Sequence, residues 1–159
     1  MSNEDRAYVL GPQDGEATWF AGTLMVTKAS STHTEGAFSL LDQRIPARYA
    51  APRHIHHDDD EAWYLLDGSV TFYCGERVLD ASSGSFVFLP KGVEHAFVVG
   101  EGEARLLTIS APASFADFVV AAGQPAPELV LPPPAELDAA ALAEVASRFG
   151  VTITGPPPT

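Results

Sequence analysis

The chain has 159 residues, 46% of them hydrophobic, with one cysteine and a formal net charge of −12 at pH 7. That length fits one domain of common size with a substantial core. The charge argues against a nucleic-acid binder, because a phosphate backbone calls for Lys and Arg, and Lys28 and Lys91 are the only lysines.

No stretch approaches the roughly 20 apolar residues of a membrane span, so no membrane partner is expected. The N-terminus, MSNEDRAYVL, is acidic and polar and does not read as a secretory signal. A lone Cys74 excludes an internal disulfide framework and points to a reducing cytoplasm.

Residues 1–17 are polar and rich in turn signals, Gly11-Pro12 and Asp14-Gly15, and are expected to be a flexible segment. Residues 18–28 have strand composition, residues 29–36 read as a loop, and residues 37–44 as a second strand. Residues 62–66 are apolar on both faces, and Asp67-Gly68 is a hairpin signal. Further short strands follow at 69–73, 77–79, 85–89, 96–99 and 105–110, separated by turns. Roughly eight strands between residues 18 and 110 predict an all-β fold, a sandwich or barrel.

The pattern then changes. In residues 114–122, Phe115, Phe118, Val119 and Ala122 recur at helical spacing, with Gly123 as a stop. Residues 124–136 are proline-rich and extended. Asp138 is placed to cap a second helix, with Leu137 and Leu142 as a hydrophobic staple and Gly150 as its end. Residues 111–150 are therefore C-terminal helices and a linker of the same domain, and residues 151–159 a disordered tail.

The stretch PRHIHHDDDEAWYLLDG, residues 52–68, carries the chemistry. His54 and His56 are two apart, so a strand points both to one face. Glu61 opens the next strand, and His95 follows downstream in GSFVFLPKGVEH. If those strands are neighbours, three imidazoles and a carboxylate converge, a donor set that suits one divalent metal ion. His33 and His57 read as surface residues, and Asp58, Asp59 and Asp60 as a solvated acidic loop. Cys74 has no group placed to activate it. Alternation puts Trp63 in phase with Glu61, and Phe97 and Val99 in phase with His95, which makes these three the candidate lining of an apolar pocket. No Lys or Arg shares those faces, so the expected ligand is a small apolar organic molecule.

His54, His56, Glu61 and Gly68, then Gly84, Pro90, Gly92 and His95, match the two motifs of the cupin superfamily, which this chain resembles. One departure is Val99, where the family often has Asn. The resemblance implies a cupin-type jelly-roll β-barrel at residues 18–110, with one or two C-terminal helices packed outside. It also implies a homodimer, for which the apolar N-terminal strands offer a surface.

Among cupins the chain most resembles the single-domain, quercetin 2,3-dioxygenase-like proteins of bacteria, on the residues His54-Ile-His56, EAWYLLDG and a post-barrel helix with Phe115 and Phe118. That resemblance implies a metal-dependent dioxygenase acting on a flavonol or similar enolisable aromatic or dicarbonyl substrate. His54, His56, Glu61 and His95 would be the metal ligands, with Fe, Mn or Ni favoured and Zn or Co possible. Glu61 would be both ligand and catalytic base, its pKa raised by the apolar pocket. The alternatives are a redox-neutral metal cupin, such as a polyketide cyclase, isomerase or decarboxylase, and a non-catalytic small-molecule binder.

Overall fold

Strand periodicity governs most of the chain in the computed structural model, which describes residues 2–159. After a 3-10 turn at Asn3–Arg6 come β1 (Glu16–Phe20), β2 (Thr23–Ala29), a short α1 (Ser31–Thr34) and β3 (Ser39–Ile45). The centre of the chain supplies β4 (Arg53–His56), β5 (Asp60–Asp67), β6 (Ser69–Cys74), β7 (Arg77–Ser82), β8 (Phe86–Leu89), β9 (His95–Val99) and β10 (Ala104–Ala111). The C-terminal part adds α2 (Ser114–Ala122), β11 (Gln124–Pro125), α3 (Ala139–Ser147) and β12 (Val151–Gly155).

The strands form two antiparallel sheets, ordered β11-β1-β2-β3-β10-β5-β8 and β12-β4-β9-β6-β7. They face each other as a jelly-roll barrel, the all-β architecture expected from the sequence. The alternation is direct in β5, where Glu61, Trp63 and Leu65 turn inward at 0–3% exposure while Tyr64 and Leu66 stay exposed. Gly68, at φ +87°, turns β5 into β6, and a Cβ there would stand 2.6 Å from the Glu103 carbonyl oxygen. Any other residue would strain this hairpin.

Two apolar clusters fill the interior. One lies inside the barrel and includes Leu65, Phe72, Val99 and Leu106. The other joins α2 and α3 to the barrel through Phe20, Met25, Leu41, Phe118 and Val119. Met25 and Leu41 lie on inward-facing positions of β2 and β3, so the two helices sit outside the strands and over the barrel's open side. Asp138 caps α3 by accepting from the Ala141 amide at 3.0 Å, a contact worth about 1 kcal/mol.

Three segments differ from the sequence reading. Residues 31–34 form α1 within the expected loop, capped by Ser30 and His33. Residues 8–14 are tied down: the Tyr8 hydroxyl donates to the Lys28 carbonyl at 2.7 Å, and the Lys28 ammonium donates to the carbonyls of Gly11, Pro12 and Asp14. Residues 151–155 are not a disordered tail but β12, paired with β4 in the registers Val151–His56 and Ile153–His54. The alternating β-branched residues of VTITG find an open sheet edge there, which outweighs the proline-rich sequence that follows. The edge of β1 is covered at Thr18 and Trp19 by the two residues of β11. No helix among the described residues is long and apolar enough to cross a membrane.

Candidate metal centre

The pleat of β4 brings His54 and His56 to one face, and β9 pairs His54 directly with His95. Glu61 comes from β5 in the opposite sheet. One ligand atom from each of the four residues lies within 4.8 Å of all the others. Glu61 Oε2 is 2.7 Å from His95 Nε2 and 3.1 Å from His56 Nε2. His56, Glu61 and His95 are each 2% exposed, and His54 is half-buried.

The outer nitrogens explain why the inner ones converge. His54 Nδ1 donates to the Pro52 carbonyl at 2.7 Å and His95 Nδ1 to the Val93 carbonyl at 3.0 Å. A carbonyl oxygen only accepts, so each Nδ1 carries a hydrogen and the Nε2 edge faces the centre. His56 is held differently: its Nδ1 lies 3.1 Å from both carboxylate oxygens of Asp59. Asp59 is 1% exposed, so it is no part of a solvated acidic loop, as the run of three aspartates suggests. Its carboxylate fixes the ring of His56 and makes it a stronger donor. Nothing in that run distinguishes the middle aspartate, because its role depends on the local bend between β4 and β5.

The electrostatics of the four residues are coupled. Burial pushes the Glu61 carboxyl up, as expected from an apolar pocket, but the His56, His95 and His54 rings outweigh it and hold the pKa at about 2. The expected raised pKa is therefore not found. Burial, aided by the neighbouring His95, lowers His54 from 6.5 to about 4. Burial also opposes charge on His56, but Glu61 and Asp59 win, and its pKa is raised. With three inward nitrogens and an ionised carboxylate, the set fits one divalent cation.

The remaining candidates fall elsewhere. His57 is exposed and pairs with the Thr152 hydroxyl at 2.9 Å, tying down β12. His33 caps α1 and packs against Tyr8. Asp60 accepts from the Lys91 amide at 2.9 Å. Cys74 is a free thiol on the partly buried end of β6.

A cavity begins at His54, His56 and Glu61. Its walls are aromatic, with Trp63, Phe97, Phe20, Phe115, Phe118 and Tyr49. Neither Lys nor Arg lines it. Trp63 and Phe97 thus stand where alternation puts them. Val99 does not reach the cavity; it packs in the barrel core with Val70, one pleat beyond Phe97. Met25, Leu142, Val151 and Ile153 also line it, and so do Gln43 and Thr108, two polar groups absent from the sequence reading. Their signal was available: each is a polar residue in the inward phase of an apolar strand, between Leu41 and Ile45 or beside Leu106.

Comparison with known proteins agrees with this geometry. Residues 42–110 match the model of the cupin domain, Cupin_2. Over 118 residues the chain is 22% identical to quercetin 2,3-dioxygenase of Bacillus subtilis (strain 168), covering 74% of this chain. The chain spans 35% of that protein's length.

Among solved structures, an RmlC-like cupin from Shewanella frigidimarina superposes with a TM-score of 0.57, at 15% identity over 67% of this chain and 90% of that one. The polyketide cyclase RemF from Streptomyces resistomycificus gives 0.56, at 20% identity over 66% and 79%. The nucleoside dehydratase Pac13, from Streptomyces, gives 0.55, at 10% identity over 67% and 82%. At such identities these likenesses speak for the fold alone. The motif residues and the barrel agree with the match in placing a cupin domain at residues 42–110.

Proposed function

We propose that the chain is a metal-dependent enzyme acting on a flat, enolisable aromatic or dicarbonyl substrate, most simply a quercetinase-like dioxygenase. One observation carries the reading: the four ligand atoms gathered within 4.8 Å open onto an aromatic cavity without a cationic side chain. Away from the metal end, such a cavity favours a planar, uncharged body and offers no cationic side chain to a phosphate or carboxylate. The distant likeness to a quercetin 2,3-dioxygenase supports the same choice.

A divalent ion held by His54, His56, His95 and Glu61 would act as a Lewis acid toward an enol oxygen and, if redox-active, supply the electron chemistry that dioxygen requires. Glu61 remains ionised at ordinary pH, so its second oxygen is free to accept the substrate hydroxyl proton. At a pKa of about 2 it is a weak base, and the transfer works only on a hydroxyl that is itself acidified. Trp63 and Phe97, both in the cavity wall, would give the ring system aromatic contact and keep water from the reacting carbon. Asp59 holds His56 in register throughout.

The test is oxygen uptake by protein loaded in turn with Fe, Mn and Ni, over a panel of flavonols and β-diketones. Uptake coupled to loss of the flavonol is expected. Turnover that continues under strict anaerobiosis would instead support the redox-neutral reading, a cyclase, isomerase or decarboxylase using the same four ligands. Tight binding with no turnover in either atmosphere would leave a small-molecule binder. A cytoplasmic setting accompanies this reading, supported by the free thiol of Cys74. So does a homodimer. Its support is an apolar outer face on the sheet edge, where Tyr64, Phe86 and Phe88 are 43%, 64% and 52% exposed.

A further inference from the structure

The inward faces of β3 and β10 place one carboxamide in the cavity wall. Gln43 is 4% exposed and lines the same cavity as Glu61 and Trp63. Its Oε1 accepts from the Thr108 hydroxyl at 2.9 Å, and its Nε2 approaches the Thr23 hydroxyl oxygen at 3.3 Å. The Thr23 hydroxyl already donates to the Phe20 carbonyl at 2.8 Å. Towards Gln43 it can only accept, which settles the orientation of the amide. The nitrogen then has two hydrogens and, among the described residues, one acceptor at the long end of the range.

A buried amide with a spare donor is costly where an aliphatic side chain of equal size would fill the space freely. Its links to Thr23 and Thr108 tie β2, β3 and β10 together but leave one N–H of the amide unused. Its position is informative. Ser110 pairs with Glu61, and Thr108 pairs with Trp63 two residues along the strand. Two residues of strand are roughly 7 Å and two strand spacings roughly 10 Å, so the amide, on β3 and held by Thr108 at the level of Trp63, is displaced from Glu61 both along and across the sheet. A single ring anchored at Glu61 does not reach it; two fused rings do.

We propose that Gln43 is the second anchor of the ligand, donating from Nε2 to an oxygen at the far end of a planar molecule of at least two fused rings. This rests on the reading that an enolic oxygen occupies the His54, His56, Glu61 and His95 end. The class is thus a multi-ring phenol or polyketide with an uncharged carbonyl or ether oxygen opposite its chelating group. An anionic far end is excluded by the lack of Lys or Arg in the wall.

The experiment is calorimetric binding to Zn(II)-loaded protein under argon, so that no turnover is needed. The probes are 6,7-dihydroxycoumarin, with a lactone oxygen opposite its catechol, and 2,3-dihydroxynaphthalene, of the same shape without it. Gln43→Leu should weaken the coumarin about fivefold to tenfold, the worth of one neutral hydrogen bond, and leave the naphthalene nearly unchanged. Gln43→Met, unbranched and closer in shape, should reproduce this if the leucine variant does not fold. Thr108→Val, which frees the amide to rotate, should give a smaller loss of the same selectivity. Equal weakening of both probes, or no change in either, overturns the assignment while leaving the metal centre intact. Failure of both probes to bind the Zn(II)-loaded wild type overturns the assignment together with the reading it rests on.

Discussion

Asp59→Asn is the most informative perturbation of the centre, because it changes charge without changing shape. In the wild type both carboxylate oxygens stand 3.1 Å from His56 Nδ1, and the two residues are 1% and 2% exposed. A hydrogen bond to a charged partner is worth about 1.5–3 kcal/mol and a neutral one about 0.5–1.5 kcal/mol. The substitution therefore removes roughly 1–2 kcal/mol from the support of His56. At about 1.4 kcal/mol per factor of ten, the metal Kd should rise roughly 5- to 30-fold, in line with the loss seen when outer-shell carboxylates are removed. Asp59→Ala should cost more, since it leaves a buried N–H without an acceptor. The assay is competition between the protein and a chelator of known affinity for Zn(II), at one neutral pH. Because Asp59 also helps to raise the His56 pKa, proton release on metal binding should move to lower pH in the asparagine variant. Unchanged metal affinity in both variants would refute the role assigned to Asp59.

Other consequences follow from the same structure. His54→Ala and His95→Ala should abolish metal content yet keep the circular dichroism of the barrel, because Leu65, Phe72 and Leu106 are packed independently of the site; an unfolded variant would mean the centre is structural. Metal-free protein should lose stability as pH falls from 6.5 to about 4, since unfolded His54 binds a proton that the folded state refuses. The ceiling is about 3 kcal/mol at 1.36 kcal/mol per pH unit. His56, whose pKa is raised, already makes its full contribution below 6.5 and does not offset this loss. Glu61, lowered from 4.5 to about 2, adds a further loss across that lower window. Urea melts over a pH series would show it, and a flat profile between 6.5 and 4 would contradict it. Ile153→Asp should lower stability by about 1–3 kcal/mol and weaken ligand binding, because β12 pairs with the strand that bears His54 and His56. Phe86→Glu combined with Phe88→Glu should bring the mass measured by light scattering from about twice 16.8 kDa down to 16.8 kDa; an unaltered mass would remove the outer face of β8 as the contact between copies.

The parts of the fold that repeat every two residues were legible from the chain alone. Glu61, Trp63 and Leu65 turn inward together, as do His95 and Phe97, because a pleated strand allows little else. The four metal-site positions could be read for the same reason, helped by the turns at Gly68 and Gly92. What escaped depended on distance in sequence. Asp59 owes its burial to a bend that no spacing rule describes. The short strand β12 forms only because β4 leaves an edge open, which the proline-rich flank of residues 151–155 obscures. Val99 keeps the right phase but lies one layer beyond the cavity floor, since periodicity gives a face and not a depth. The pKa of Glu61 moved opposite to expectation because burial was weighed without the three imidazoles that surround it.

The central claim is that His54, His56, Glu61 and His95 together bind one divalent ion. Titration of chelator-stripped protein with Co(II), followed by its visible absorption, tests this most directly. The account predicts saturation at one ion per chain in the wild type and no saturable spectrum in His95→Ala. A spectrum that saturates identically in both proteins, or never saturates in the wild type, would contradict it.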